Sequence, residues 1–211
     1  MQISRMFVLL SLGVIGASLV FVVWNSDYGY VYRMHLQSSK QLLLDYHELK
    51  VLPPAEVVKG FPVDLFCRPE KGTLGDYFCA SELSRWNSIE ALTTVFFFEA
   101  GQLAFAKVDI PPWAHEDLLT YVKQHHGKPS GFTNRRQWGK FLLAGAGNAA
   151  AARIGVPAIF DMSPDELGVW KLASGACLVI NMKTDWPLQG STAFWMSPNK
   201  PCLFRDHSDK K

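Results

Sequence analysis

The sequence of 211 residues is poor in the features that mark common catalytic and binding classes. Its formal net charge is only +2, which gives no support for a nucleic-acid partner, because such proteins carry a clear excess of Lys and Arg. It contains no C-x-x-C pair with the spacing of a zinc site and no G-x-S-x-G motif of a serine hydrolase. There is also no internal repeat or low-complexity tract. These absences leave no coherent catalytic set, so we expect no metal and no cofactor.

Charge is missing altogether from residues 6–24, which read MFVLLSLGVIGASLVFVVW. As a helix, this stretch would be about 28 Å long, close to the roughly 30 Å hydrocarbon thickness of a bilayer. Trp24 and Tyr28 suit the membrane interface at its end, and no small-residue cleavage site follows. The stretch therefore predicts an uncleaved transmembrane anchor, with a cleaved signal peptide and a buried core helix as the alternatives. No Cys lies near it, which excludes a lipoprotein anchor.

Cysteine is scarce, but the four residues fall into two pairs. Of the three possible connectivities we favour Cys67 with Cys79, across a turn-rich segment, and Cys177 with Cys202. Disulfides form in oxidising compartments, so this pairing places the C-terminal part outside the cytoplasm, in the periplasmic space of an inner (plasma) membrane. The alternative is four reduced, buried thiols in a cytoplasm-facing protein. The basic residues on the two sides of the apolar stretch are too evenly matched to decide the orientation.

Between the anchor and the domain, residues 26–59 predict a juxtamembrane helix or linker. Leu42, Tyr46 and Leu49 recur at i, i+4 and i+7, which is the spacing of one helix face. Pro53 and Pro54 would end that helix. It would be a stalk or docking helix, or else a core helix of the domain.

The residues from 60 to 204 predict an α+β domain with an antiparallel sheet. Residues 61–66 and 77–78 are short strand candidates, and residues 92–99, apolar on both faces, should form a central strand. Residues 103–110 return as its hairpin partner, and residues 169–172, 176–182 and 191–196 form a three-stranded meander. A helix over residues 113–126 has acidic residues in its first turn, basic residues in its last, and Gly127 as its stop. This hairpin–helix–meander order predicts a sheet covered on one face by helix, followed by a charged tail over residues 205–211.

A glycine pattern in residues 145–150, GAGNAA, has the spacing of a dinucleotide-binding loop. Such a loop needs alternating strands and helices around it, and an acidic residue about 20 positions on. The residues that follow predict an antiparallel meander instead. We therefore interpret residues 140–155 as a small-residue connector and expect no nucleotide.

A basic segment over residues 123–140 contains five Lys or Arg, two His and no acidic residue. Interleaved aromatics make it a candidate contact surface for an anionic envelope component or an acidic protein, although a solvated basic loop has the same composition. Trp186, in the loop before the last strand, is a further exposed-aromatic candidate. The predicted binding residues are Lys128, Arg135, Arg136, Trp138 and Trp186.

The leading hypothesis is thus a single-pass envelope protein whose domain binds a protein or envelope component without catalysis. The alternative is a membrane-anchored hydrolase acting on envelope material, with His115, His125 or Asp109 in a cleft between the hairpin and the helix. Convergence of histidine, carboxylate and hydroxyl groups in one pocket would favour that alternative.

Overall fold

The computed structural model describes residues 33, 36–46, 48–61, 64–72, 74–134, 166–183, 190–202 and 205–206. By its internal contacts the chain divides into two compact units, Met1–Ser38 and Ser39–Lys211. The predicted anchor, the glycine pattern and residues 135–140 of the basic segment lie outside the described residues. Within the described residues, no helix has both the length and the apolar character needed to cross a bilayer.

The described part of the second unit contains twelve strands, two helices and one 3-10 turn. The strands are β1 (Gln41–Leu42), β2 (Phe66–Gly72), β3 (Gly75–Glu82), β4 (Arg85–Trp86), β5 (Ile89–Glu90), β6 (Thr93–Glu99), β7 (Gln102–Ile110), β8 (Gly131–Asn134), β9 (Glu166–Lys171), β10 (Cys177–Asn181), β11 (Ser191–Met196) and β12 (Arg205–Asp206). The helices are α1 (Pro54–Gly60) and α2 (His115–His126), and α2 is preceded by the 3-10 turn Pro112–Ala114.

Nine of these strands form one antiparallel sheet in the order β12-β8-β9-β10-β11-β7-β6-β3-β2. The predicted central hairpin is β6–β7, and the predicted meander is β9–β10–β11, which joins the hairpin through β11 and β7. The expected α+β class with an antiparallel sheet is therefore confirmed. A second, small sheet has the order β1-β4-β5.

The hairpin of β6 and β7 sits at the centre because neither of its faces can be left in water. Every residue from Thr94 to Phe98 is buried, as is every residue from Leu103 to Val108. Ala100 and Gly101 both adopt positive φ, 48° and 74°, which lets the chain reverse in a two-residue turn. The aromatic and β-branched residues of β6 account for the strand, and the turn accounts for its pairing.

Helix α2 forms where its charge pattern predicts. Glu116 and Asp117 lie in the first turn, and Lys123, His125 and His126 lie in the last turn. Each sign faces the opposite partial charge of the helix macrodipole. Gly127 ends the helix with φ 73°, and its N–H donates to the Lys123 carbonyl. The buried side chains of His115, Leu118 and Val122 attach the helix to the sheet.

The large sheet has a helix face and a far face. The helix face joins the core that contains α2, and its members include Phe96, Phe98, Val108, Ile110, Ile180 and Trp195. The far face is lined by a second apolar cluster that includes Phe78, Val95, Phe97, Phe105, Val179, Phe194 and Met196. After β11 the chain returns across one end of the far face, where the Lys200 ammonium pairs with Glu99 and lies 5.3 Å from the Phe105 ring centre.

The described residues between 39 and 50 do not form the predicted helix. Gln41–Leu42 is a strand, and it pairs in parallel with Arg85–Trp86. Leu42, Tyr46 and Leu49 are buried as their spacing suggested, Leu42 in strand β1 and the other two outside any helix or strand, and all three belong to the core of the second unit. This compact unit begins at Ser39, so the part of the expected linker from residue 39 to residue 59 is included in it.

Asn87 is the physical reason for that irregular path. It lies in the turn between β4 and β5 with φ 54°, in the left-handed region that Asn tolerates. Its side chain accepts a hydrogen bond from Leu44 N–H at 3.0 Å and donates to the Leu44 carbonyl at 3.1 Å and to Tyr121 Oη at 2.8 Å. Tyr46 and Tyr121 each contact the Trp86 ring, with ring centres 5.2 Å apart in both pairs. The segment is thus held by side chains distant in sequence, which helical spacing cannot reveal.

The N-terminal edge of the sheet differs in extent from the prediction. The expected strand over residues 61–66 begins only at Phe66, and the segment between the first two cysteines is largely strand rather than an open loop. Pro69 lies in the edge strand β2, where the missing N–H is tolerated and opposes pairing with another chain.

Candidate functional site

Both expected cysteine pairs are formed. Cys67 and Cys79 lie directly opposite each other on β2 and β3, with their Cα atoms 4.0 Å apart, and make what we call the hairpin disulfide. Cys177 and Cys202 make the C-terminal disulfide, with a Cα–Cα distance of 5.9 Å. No free cysteine remains. The prediction of a disulfide-stabilised domain is confirmed, and the alternative of four reduced thiols does not fit this structure.

Of the predicted contact residues, the structure places Lys128 alone. Lys128 is exposed in the short connection between α2 and β8. Arg135, Arg136 and Trp138 follow β8 in the chain, and they lie outside the described residues together with Trp186. Their role as a contact surface stays a prediction.

His115 forms a buried pair with a serine on the helix face. Its Nδ1 lies 2.5 Å from Ser191 Oγ, and the two residues are only 4 % and 1 % exposed. Burial lowers the pKa of His115, while a hydrogen bond to the Met182 backbone and the charge of Glu116 oppose that shift. The ring is therefore neutral at physiological pH, and its hydrogen bonds join α2 to the ends of β10 and β11.

Asp109, the carboxylate of the hydrolase alternative, points away from this pair. Ser191 lies opposite Ile110, whose side chain belongs to the helix-face core, and the neighbouring Asp109 lies opposite Thr192. Successive residues of a strand face opposite sides of the sheet. The backbone of the sheet thus separates the His115–Ser191 pair from the Asp109 carboxylate.

The other two histidines of α2 lie in its last turn and contact neighbouring residues. The His125 ring stacks on Tyr121 with ring centres 4.0 Å apart, and its Nδ1 lies 2.8 Å from the Tyr121 carbonyl oxygen. His126 Nε2 lies 3.8 Å from Asp45 Oδ1. Within the described ranges no group of three His, Cys, Asp or Glu side chains could hold a metal ion.

Asp109 instead organises a hydrogen-bonded network on the far face. Its Oδ2 accepts from the Thr93 hydroxyl at 2.7 Å and from the Lys107 ammonium at 2.7 Å. Its Oδ1 accepts from the Thr192 hydroxyl at 2.9 Å. Lys107 is only 1 % exposed, so the ion pair offsets the large cost of burying an isolated ammonium.

The network belongs to a line of polar side chains that crosses five adjacent strands. Glu82 is opposite Thr93, which is opposite Asp109, which is opposite Thr192. Thr192 N–H then donates to Asn181 Oδ1 at 3.2 Å. We call this set the polar row: Glu82, Thr93, Asp109, Thr192 and Asn181. It lies at the end of the far face opposite to the end where the chain returns after β11.

Sequence reasoning missed the polar row, because its members come from β3, β6, β7, β10 and β11. One local signal was present. Lys107 and Asp109 are the two charged residues of the otherwise apolar run LAFAKVDI, and alternation puts them on the same face. A charged pair at i and i+2 in a strand buried on both faces indicates a polar network in the core.

The fold and site define an α+β domain with two disulfides and a polar row set against a buried lysine. Comparison with known proteins finds no matching family model, no similar curated protein and no similar solved structure.

Proposed function

We propose that the chain is a single-pass protein of a cell envelope, anchored in the inner (plasma) membrane by residues 6–24. Its disulfide-stabilised domain then lies in the periplasmic space and binds a protein or an anionic envelope component without catalysing a reaction. The basic segment over residues 123–140 would be the contact surface, and Lys128, Arg135, Arg136, Trp138 and Trp186 would make the contacts.

The observation that carries this proposal is the pair of disulfides. One crosslinks the two strands of the edge hairpin, and the other links β10 to the C-terminal segment that follows β11. Structural disulfides of this kind persist in oxidising compartments. An uncharged stretch of 19 residues ahead of such a domain has the length of a membrane anchor. Together the two features favour an anchored extracytoplasmic domain over a cytoplasmic one.

The binding role is favoured over catalysis by the placement of the candidate groups. A nucleophile and its base need access to a substrate, and both Ser191 and His115 are almost completely buried. The nearby carboxylate of Asp109 faces the other side of the sheet. These positions suit a buried hydrogen bond that stabilises the fold.

A membrane-anchored hydrolase is the second candidate, and the short contact between Ser191 and His115 is the observation that favours it. A Ser191→Ala variant separates the two candidates. A hydrolase would lose its turnover of envelope material with the fold intact, as judged by circular dichroism. A binding protein would keep its crosslinked partners.

The location can be tested in spheroplasts that express the full chain. Protease added outside should degrade the domain, and an alkylating reagent added to denatured, unreduced membranes should modify no thiol. Protection from protease together with four modified cysteines would contradict the proposed location.

The contact surface can be tested by crosslinking in intact membranes. A photoreactive amino acid at position 128 should trap a partner, and the Arg135→Glu and Arg136→Glu double variant should lose that adduct. Lys171→Glu with Lys183→Glu is the matched control, because it makes the same change in charge at two exposed positions of the domain. An adduct that survives the first double variant would disprove the assignment of the surface.

A further inference from the structure

We propose that the polar row is a second binding site, and that it binds a positively charged group rich in N–H donors, namely a primary ammonium or a guanidinium. The site lies on the far face of the sheet. The five residues of the polar row all lie outside the basic segment and outside the predicted membrane anchor.

The polar row has few protons left to donate to a ligand. A threonine hydroxyl has one proton to donate, and both Thr93 and Thr192 donate theirs to Asp109. What each hydroxyl still offers is its lone pairs. Asn181 Oδ1 accepts from Thr192 N–H and keeps a second lone pair, while one of its two Nδ2 protons is donated to the Lys183 carbonyl at 3.1 Å. A ligand above the row therefore meets mainly acceptors.

The charges at the polar row also favour a cation. Lys107 and Asp109 neutralise each other across 2.7 Å, and the lysine is too deeply buried to meet a ligand. Glu82 lies next in the row, on the same face as Thr93, because directly opposed residues of antiparallel strands share a face. It is half-buried and its carboxylate adds a net charge of −1. Charge and hydrogen bonding thus select the same ligand, a cation that donates hydrogen bonds.

A buried hydroxyl farther along the same line points to a ligand longer than a single amine. Thr133 lies opposite Leu167, which lies opposite Asn181, so its side chain also faces the far side. It is 4 % exposed, and its Oγ1 is a buried atom without a hydrogen-bond partner in the described part of the chain. It stands three strands from Thr192, about 14 Å at the usual strand spacing. An extended peptide with lysine or arginine side chains could reach both, whereas a free small amine could not.

Calorimetric titration of the full chain in detergent tests the proposal, with agmatine, a tri-lysine peptide and sorbitol as probes. Agmatine and the peptide should bind and sorbitol should not. Glu82→Gln should weaken binding of both cations about tenfold, as loss of a charge-assisted hydrogen bond implies. Thr93→Val and Thr192→Val should each weaken it severalfold. The matched controls are Glu116→Gln and Thr120→Val, at exposed positions of α2.

The source of the cation is decided by Thr133→Val. If the variant binds the peptide more weakly than the wild type does and binds agmatine equally well, the natural ligand is a partner peptide. If the variant binds both cations as tightly as the wild type does, the natural ligand is a free amine. The proposal would be overturned if sorbitol bound as tightly as the cations, or if neither cation bound. It would also be overturned if Glu82→Gln weakened cation binding no more than Glu116→Gln does. None of these variants changes Lys128, Arg135, Arg136, Trp138 or Trp186, so the outcome is independent of the crosslinking test.

Discussion

Replacing Asn87 by Ala should destabilise the protein by about 4 kcal/mol. The variant loses three side-chain hydrogen bonds to Leu44 and Tyr121, at about 1 kcal/mol each when partly buried. It also forces Ala into a backbone conformation with φ 54°, which costs roughly 1 kcal/mol more for a residue with a Cβ that cannot bond locally. The perturbation acts on a residue that hydrogen-bonds to Leu44 of the 41–44 segment and to Tyr121 of α2.

Two further substitutions separate these contributions. Asn87→Gly loses the same hydrogen bonds but tolerates positive φ, so it should cost about 1 kcal/mol less than Asn87→Ala. Asn199→Ala changes the same residue type at an exposed turn position and should lie within about 0.5 kcal/mol of the wild type.

The assay is denaturant-induced unfolding of the full chain in detergent, followed by circular dichroism. A loss below about 1 kcal/mol for Asn87→Ala would refute the reasoning, because it would mean that residues 41–44 are not held by this side chain. A Gly variant less stable than the Ala variant would refute the contribution assigned to the backbone. A cost as large as expected would establish that residues 41–44 are held in the folded unit by this side chain.

Three further predictions concern the two disulfides, His115 and Gly75. Replacing both cysteines of the C-terminal disulfide by Ala should lower the free energy of unfolding by about 3.5 kcal/mol, against about 2.8 kcal/mol for the hairpin disulfide. The difference arises because the two disulfides close loops of 25 and 12 residues. If unfolding experiments gave the larger loss for the hairpin disulfide, they would contradict the loop-entropy argument. Burial lowers the pKa of His115, so the unfolded chain binds more protons than the folded chain as the pH falls below about 6.5, and the free energy of unfolding should fall with the pH. The His115→Gln variant should lose less stability than the wild type between pH 7 and pH 5. Parallel plots of stability against pH for the two proteins would disprove this. Gly75→Ala would place a Cβ far inside van der Waals contact with the Phe98 carbonyl oxygen, so it should lower the free energy of unfolding by about 1–3 kcal/mol. An unchanged unfolding midpoint would show that β3 can shift to make room for the added methyl group.

The elements that sequence reasoning located correctly are those determined by neighbours in the chain. The aromatic run of β6, the Ala100–Gly101 turn and the return strand β7 are one local unit, and α2 begins and ends on its own charges and Gly127. The cysteine pairing was also inferred correctly, because each pair brackets a short stretch of chain.

The candidate site was predicted less well than the fold. The hydrolase alternative placed His115, His125 or Asp109 near a cleft between the hairpin and the helix, but strand alternation and the position of α2 put His115 and Asp109 on opposite faces of the sheet. Lys128 is exposed and the other predicted contact residues lie outside the described part of the chain, and the contact role of all five stays a prediction.

The sequence by itself determined the class, the central hairpin, helix α2 and the disulfide pairs, because each of these depends on periodicity, turn chemistry or spacing within about 25 residues. Only the tertiary structure decided that residues 41–46 form a short strand and then irregular backbone against Trp86 and Asn87. It alone also aligned the polar row across five strands and placed a buried lysine beside it. The physical reason is the same in both cases: these side chains are satisfied by partners far away in the chain, and only strand order and register bring those partners together.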